Sequence, residues 1–262
     1  MRVADFVIKF LEDKKINTVF TVSGGGSIFL CDALYKSTKL KYISCHHEQA
    51  VSFATESFSR VKNNPGAAII TTGPGGTNCT TGVASCWIDS VPAIFISGQV
   101  YLNQTIGNSG SRQKGVQEFD IISMVKSSTK YAVMVKDPNL IKYHLEKAYY
   151  LSKDKRPGPV WIDIPANIQS TKINPKKLKS YKIIENKPNY DKIINKKIKK
   201  IANLFVKSKR PLIHLGHGAR ISESEKYLRK IINRHKIPFA LTWNASDLIE
   251  SSHKYYIGRP GA

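Results

Sequence analysis

The stretch Ala67-Ala-Ile-Ile-Thr-Thr-Gly-Pro-Gly-Gly-Thr-Asn78 decides the fold. Small, apolar and β-branched residues run into a glycine-rich turn, and a helix-forming stretch follows. Such a run is a buried strand ending where the backbone must turn tightly and approach its neighbours closely. The spacing predicts a strand over 67–72, a glycine turn over 73–76 and a helix over 78–89.

The same unit recurs on either side. Val3, Phe6, Val7, Phe10 and Leu11 share one face of a helix expected over 3–14. A strand over 18–22 then meets Ser23-Gly24-Gly25-Gly26 and a helix over 27–36. Further strands are expected over 41–45, 93–98 and 159–164, with helices over 48–61 and 139–151. Strands alternating with helices imply right-handed crossovers and a parallel sheet with helices on both faces. The fold class is therefore α/β, with a first domain over residues 1–169. Residues 170–189 are rich in Lys and Pro and lack periodicity, as expected of an exposed linker. A second α/β unit follows over 190–262: helix 190–208, strand 211–215, the turn Gly216-His217-Gly218, helix 222–235 and strand 238–242. Two strands are too few for a whole α/β domain, so this unit reads as incomplete.

The chain has 262 residues, 41% of them hydrophobic, enough for a substantial core. A net charge of +22 suits a polyanionic partner. However, the lysines are densest from Lys172 to Lys200, among Ile and Asn and without a patch of interleaved aromatics. The charge therefore reads as composition and a solvated linker, and neither nucleic acid nor membrane is expected as a partner. Cys31, Cys45, Cys79 and Cys86 form no Cys-x-x-Cys pair and no zinc spacing, as in reduced thiols. Arg2, Asp5 and Lys9 interrupt the N-terminal apolar residues, so no signal-peptide core is present, and a cytoplasmic location is expected.

The segment Ile43-Ser-Cys-His-His-Glu48 carries a glutamate from strand into helix. Taken alone, Glu48 suits the first turn of a helix, where the macrodipole favours an acid, better than it suits catalysis. His46 and His47 are strand neighbours pointing to opposite faces, a poor chelate. The loop Thr72-Gly-Pro-Gly-Gly-Thr-Asn78 offers backbone N–H groups to a ligand, but also serves as an ordinary crossover turn. It is no P-loop, and neither Gly24–Gly26 nor Gly216–Gly218 completes a dinucleotide fingerprint.

Together these segments resemble the pyrimidine-binding domain of thiamine diphosphate enzymes, the acetolactate synthases and their relatives in particular. The resemblance runs through Val19–Gly26, His47-Glu48-Gln49 to Arg60, Thr72–Gly75 with Asn78, and Asp89-Ser90-Val91-Pro92 to Ser97-Gly98-Gln99. It continues in Gln117-Glu118, Asp120-Ile121, Lys130-Tyr131, Arg156–Val160 and Asp163-Ile164-Pro165. It implies that residues 190–262 begin a Rossmann-like central domain and that the C-terminal domain, which holds the diphosphate and Mg2+, is absent from this chain. No metal ligand is then expected here.

The resemblance also assigns roles. Glu48 would share a proton with the aminopyrimidine ring of thiamine diphosphate, activating the cofactor. Gly73, Pro74 and Asn78 would lie beside that ring, Gly25 and Gly26 would admit the backbone to the active centre, and Gln99 and Gln117 would face the substrate. The implied reaction is decarboxylation of a 2-keto acid, pyruvate first, with transfer of the acyl unit to a keto acceptor, in a homodimer or homotetramer. FAD stays open: some members bind it through the central domain, where Gly216–Arg220 would contribute, and many do not. Val116 stands before Gln117 where acetolactate synthases carry a bulky aromatic, a version similar to relatives in unusual sugar pathways. This leaves the acceptor open between keto acid and keto sugar. A plain 2-keto acid decarboxylase, a 2-hydroxyacyl-CoA lyase and a noncatalytic interaction module are the alternatives.

Overall fold

The computed structural model describes residues 1–183 and 190–260. The chain divides into two compact units, Met1–Lys182 and Ile183–Ala262. In the first, α1 (Val3–Asp13) buries Val3, Val7, Phe10 and Leu11 along one stripe. There follow β1 (Thr18–Thr21), α2 (Ile28–Lys36), β2 (Lys41–Ser44), α3 (Glu48–Lys62), β3 (Gly66–Ile70), α4 (Pro74–Asn78), α5 (Thr80–Asp89) and β4 (Ala93–Gln99). The unit closes with α6 (Ile121–Val125), β5 (Tyr131–Met134), α7 (Ile141–Lys153), β6 (Pro159–Pro165) and α8 (Ala166–Ser170).

Six strands form one sheet in the order β2-β1-β3-β4-β6-β5, every pair parallel. Side chains alternate across a strand, so neighbouring residues enter different cores. Val19, Ala67, Ile69, Ile94, Ile96, Val160 and Ile162 pack with residues of α1, α2 and α7. Phe20, Ala68, Ile70, Phe95 and Trp161 pack on the other face with Val51 of α3 and Val83 and Cys86 of α5. Phe95 and Trp161 stack there with ring centroids 5.4 Å apart. Burial on both faces explains the nearly continuous apolar runs in β3, β4 and β6.

Three local features differ from expectation. The helix expected over 78–89 starts earlier, as α4 and then α5, because Pro74 occupies a first-turn position where its fixed φ and missing N–H cost nothing. β5 and α6 add to the expected elements: β5 is four half-buried residues at the sheet edge, without alternation. The stretch expected to be an exposed linker begins bound to the first unit. Residues Arg2 and Lys172 bridge antiparallel, Ile173 N donates to Met1 O at 2.9 Å, and Ile173 and Leu178 are only 8% and 7% exposed. Two apolar residues among the lysines suffice to dock it; residues 184–189 of the expected linker lie outside the described residues.

The second unit holds α9 (Tyr190–Lys207), β7 (Ile213–Leu215), α10 (Gly218–Ile221), α11 (Glu225–His235) and β8 (Phe239–Leu241). β7 and β8 pair in parallel, and Leu215, Ile232, Phe239, Leu241 and Leu248 form its core. No helix among the described residues is long and apolar enough to cross a membrane, and all four cysteines are free.

If residues 171–178 belong to the first unit, Leu178→Ala should lower its unfolding free energy by about 2 kcal/mol or more, as for other buried leucines. Urea denaturation checks this; an unchanged midpoint would mean that the segment contributes nothing to the fold.

Candidate functional site

The chain leaves β1 for β2 on one side and returns to β3 on the other. At such a reversal the loops diverge and leave a crevice at the carboxyl ends of the strands. Gly24–Gly26 follow β1, Glu48 follows β2, and Gly73–Asn78 follow β3, so the fold brings these segments to one end of the sheet.

Glu48 is the first residue of α3, capped by His47, whose Nδ1 accepts from Gln49 N at 3.1 Å. Its carboxylate is half-buried. Oε2 accepts from Asn78 Nδ2 at 2.9 Å, and the Glu48 carbonyl accepts from the Cys79 thiol at 3.2 Å. Burial, aided by the Glu48 charge, pushes the Cys79 thiol up, so it stays a neutral donor. Oε1 lies 3.5 Å from where a side chain on Gly75 would begin. Arg60, one face of α3 further on, pairs with Glu56 and, at 2.7 Å, with Asp89, bracing α3 against α5.

The glycines divide by what surrounds them. A Cβ on Gly25 would meet nothing within 4 Å, which leaves its backbone open to a ligand. A Cβ on Gly26 would lie 1.8 Å from Thr72 Oγ1, and one on Gly98 would lie 2.1 Å from the Gly26 carbonyl oxygen. Gly98 thus lets β4 and the turn after β1 touch backbone to backbone, and Gly26 lets that turn reach the end of β3. Gly73, with φ +56°, lies in a conformation that favours glycine, and its Cβ would fall 2.0 Å from the Gln117 carbonyl oxygen.

The two glutamines separate. Gln117, itself at φ +59°, lies in the exposed turn against Gly73; a left-handed non-glycine residue is uncommon and concentrates at functional turns. Gln99 is 1% exposed, and its amide is engaged inside the protein: Nε2 donates to Phe119 O at 3.0 Å and Asp163 Oδ2 at 3.1 Å, while Oε1 accepts from Val100 N. Gln99 therefore holds the turn from behind.

Sequence reasoning gave no role of their own to three residues of this region. Glu118 is buried and its carboxylate accepts from Ile106 N at 2.7 Å and Lys114 N at 3.0 Å, gathering the loop that precedes it. That loop brings exposed Arg112 to a cavity of about 550 Å³ shared with Gly73, Pro74, Thr77 and Gln117. Arg112 makes no ion pair among the described residues. Asp163 is the third, fully buried on β6. An acid inside a strand otherwise made of apolar residues was the available signal for it.

These residues fit the pyrimidine half of thiamine diphosphate. They offer a carboxylate with one oxygen held and the other beside a glycine, and an open glycine backbone at Gly25 within the same crevice. No group of three or more His, Cys, Asp or Glu side chains among the described residues is placed to hold a metal ion.

Comparisons with known proteins point to the thiamine diphosphate enzymes. The profile of the thiamine pyrophosphate enzyme N-terminal TPP binding domain matches residues 1–124, and that of the central domain of the same enzymes matches residues 198–262. The acetolactate synthase large subunit of Corynebacterium glutamicum is 31% identical over 98% of this chain and 40% of its own length. The chloroplastic acetolactate synthase of Arabidopsis thaliana is 34% identical over 91% of this chain and 35% of its length. The Escherichia coli isozyme 2 large subunit is 28% identical over 100% of this chain and 45% of its length. The chain thus spans less than half the length of these curated relatives.

Burial pushes the Asp163 carboxyl up to about 7, despite hydrogen bonds from Ser97 and Gln99 that favour its charge. An unfolded Asp titrates near about 4. Between these values the folded protein keeps a proton that the unfolded chain has released. The stabilising contribution is therefore complete below about pH 4 and is lost as pH rises through about 7. Thermal melts from about pH 5 to about pH 8 should show wild type losing stability relative to Asp163→Asn; parallel curves would contradict the shift.

Proposed function

The chain belongs to the thiamine pyrophosphate enzymes, and from that membership we propose that it forms the cofactor-activating part of an acetolactate synthase-like enzyme acting on a 2-keto acid, pyruvate first. The single observation that carries the proposal is Glu48 at the head of α3, with Asn78 holding one carboxylate oxygen and Gly75 beside the other.

Thiamine diphosphate, when bound, supplies a thiazolium electron sink for decarboxylation and transfer of the acyl unit. Asn78 Nδ2 holds Glu48 Oε2 as an acceptor, so the exchangeable proton belongs at Oε1. The His47 cap and the Cys79 thiol fix the backbone on either side of this carboxyl, which limits its swing. Gly25, Gly73 and Pro74 would line the ring's place, Gly26 keeps the strand ends close enough to form it, and Gln117 faces the substrate side. Within this proposal a further domain holds the diphosphate and Mg2+, as the resemblance implies.

Arg112 supports an anionic substrate, because it lines the cavity beside Gln117 and makes no ion pair among the described residues. Exposed Tyr42, Ile43 and Phe53, on the edge strand β2 and on α3, support a homodimer or homotetramer in which another copy covers this edge. Val116, 85% exposed, leaves room for an acceptor beside Gln117. Product analysis with pyruvate alone and with an added keto acceptor separates carboligation from plain decarboxylation.

In the complete enzyme, Glu48→Gln should lower kcat by about 10²-fold or more, with folding intact by thermal melt, as expected on losing a positioned proton-transfer group. Turnover near wild type would remove Glu48 from the mechanism. Arg112→Met should raise KM for the 2-keto acid about tenfold with kcat little changed, since it removes binding common to ground and transition states; an unchanged KM would mean that Arg112 does not touch substrate.

A further inference from the structure

On the sheet face that carries Phe95 and Trp161, the alternation of β4 and β6 ends in polar groups. Ser97, Gln99 and Asp163 are all buried there. Asp163 Oδ1 accepts from Ser97 Oγ at 2.5 Å, and Ser97 Oγ in turn accepts from Trp161 Nε1 at 2.8 Å. Oδ2 accepts from Gln99 Nε2 at 3.1 Å. Burying a carboxyl is costly, and apolar residues of similar volume hold a core at least as well. What an apolar residue cannot do is orient an amide. With Asp163 fixing one hydrogen of Gln99 Nε2, the other reaches the Phe119 carbonyl at 3.0 Å.

Phe119 closes the turn that carries Gln117, and the Gln117 carbonyl oxygen packs against Gly73. Gly73 caps α4, whose last residue, Asn78, donates to Glu48. A buried group on β6 is thereby linked by direct contacts to the crevice on the far side of β4. Asp120, whose charge also pushes the Asp163 carboxyl up, belongs to the same turn.

We propose that Asp163 is a positioning residue: through Gln99 it sets the turn of residues 115–120, and with it the placement of Gln117 against Gly73. The proposal rests on the function above only for its kinetic consequence. Its structural consequence holds whatever the protein catalyses.

Amide hydrogen exchange in the full-length, cofactor-loaded protein tests it with Asp163→Leu, Gln99→Leu and the double variant. Each single variant should speed exchange over residues 114–120 about tenfold while β3 and β4 keep their protection, a local rather than global opening. The double variant should be no faster than either single, since both break one link. Uniform acceleration, no acceleration, or additive effects would each overturn the proposal. Should Asp163→Leu fail to fold, Gln99→Leu, which leaves the acid in place, decides alone by the same local pattern. With turnover established, both singles should raise KM for the 2-keto acid, each by the same factor as the other. KM unchanged in a variant whose turn has loosened would overturn the link to Gln117. Absence of turnover in the wild type would refute the proposed function and leave the exchange result standing.

Discussion

The structure depends on one backbone contact without room for a side chain. A Cβ on Gly98 would sit 2.1 Å from the Gly26 carbonyl oxygen, and one on Gly26 would sit 1.8 Å from Thr72 Oγ1. The turn after β1, the end of β3 and the end of β4 therefore meet at contact distance, and Thr72 Oγ1 donates to the Gly98 carbonyl at 3.2 Å. Gln169 secures the same turn from α8, its Nε2 donating to Gly26 O at 2.6 Å and Ile164 O at 2.7 Å. With the strand ends drawn together, the crevice is shaped by backbone, and Gly25 alone of the three glycines faces open space. Residues that look interchangeable in Gly24-Gly25-Gly26 thus do different work.

Around this contact, polar groups are used where orientation matters more than burial. Glu118 gathers a loop through two backbone N–H groups, Asn78 holds one oxygen of Glu48, and Asp163 holds the amide of Gln99. Each is a carboxylate or carboxamide partly or wholly removed from water, and each has its partners in place, which is the condition under which such a group stiffens a structure instead of weakening it. The apolar layers on both faces of the sheet supply most of the stabilisation. The polar groups determine where the turns at its carboxyl end come to rest.

Much of the fold was legible because strand and helix periodicities are local. Phe95 and Ile96 enter different cores by alternation alone, and Val3, Val7 and Leu11 share a helical face by spacing alone. β5 was not legible, because Tyr131–Met134 is short, half-buried on both sides and held by its neighbour β6. Nor was the docking of Ile173 and Leu178, whose lysine-rich surroundings read as solvated chain. Glu48 and the Gly73 turn could be singled out from sequence. Arg112 could not, since an exposed arginine in a polar loop gains meaning only from the cavity that the loop encloses.

By itself the sequence determined the strand, glycine turn and helix units, the two-faced parallel sheet and the acid at the head of α3, because each follows from conformational preferences over a few residues. The tertiary structure decided that Gln99 faces inward to Asp163, 64 residues away, that Gly73 bears on Gln117, and that Asn78 reaches Glu48 across 30 residues. Crossover connections bring such groups together only once the whole sheet has assembled, and no pattern within either segment encodes the distance between them.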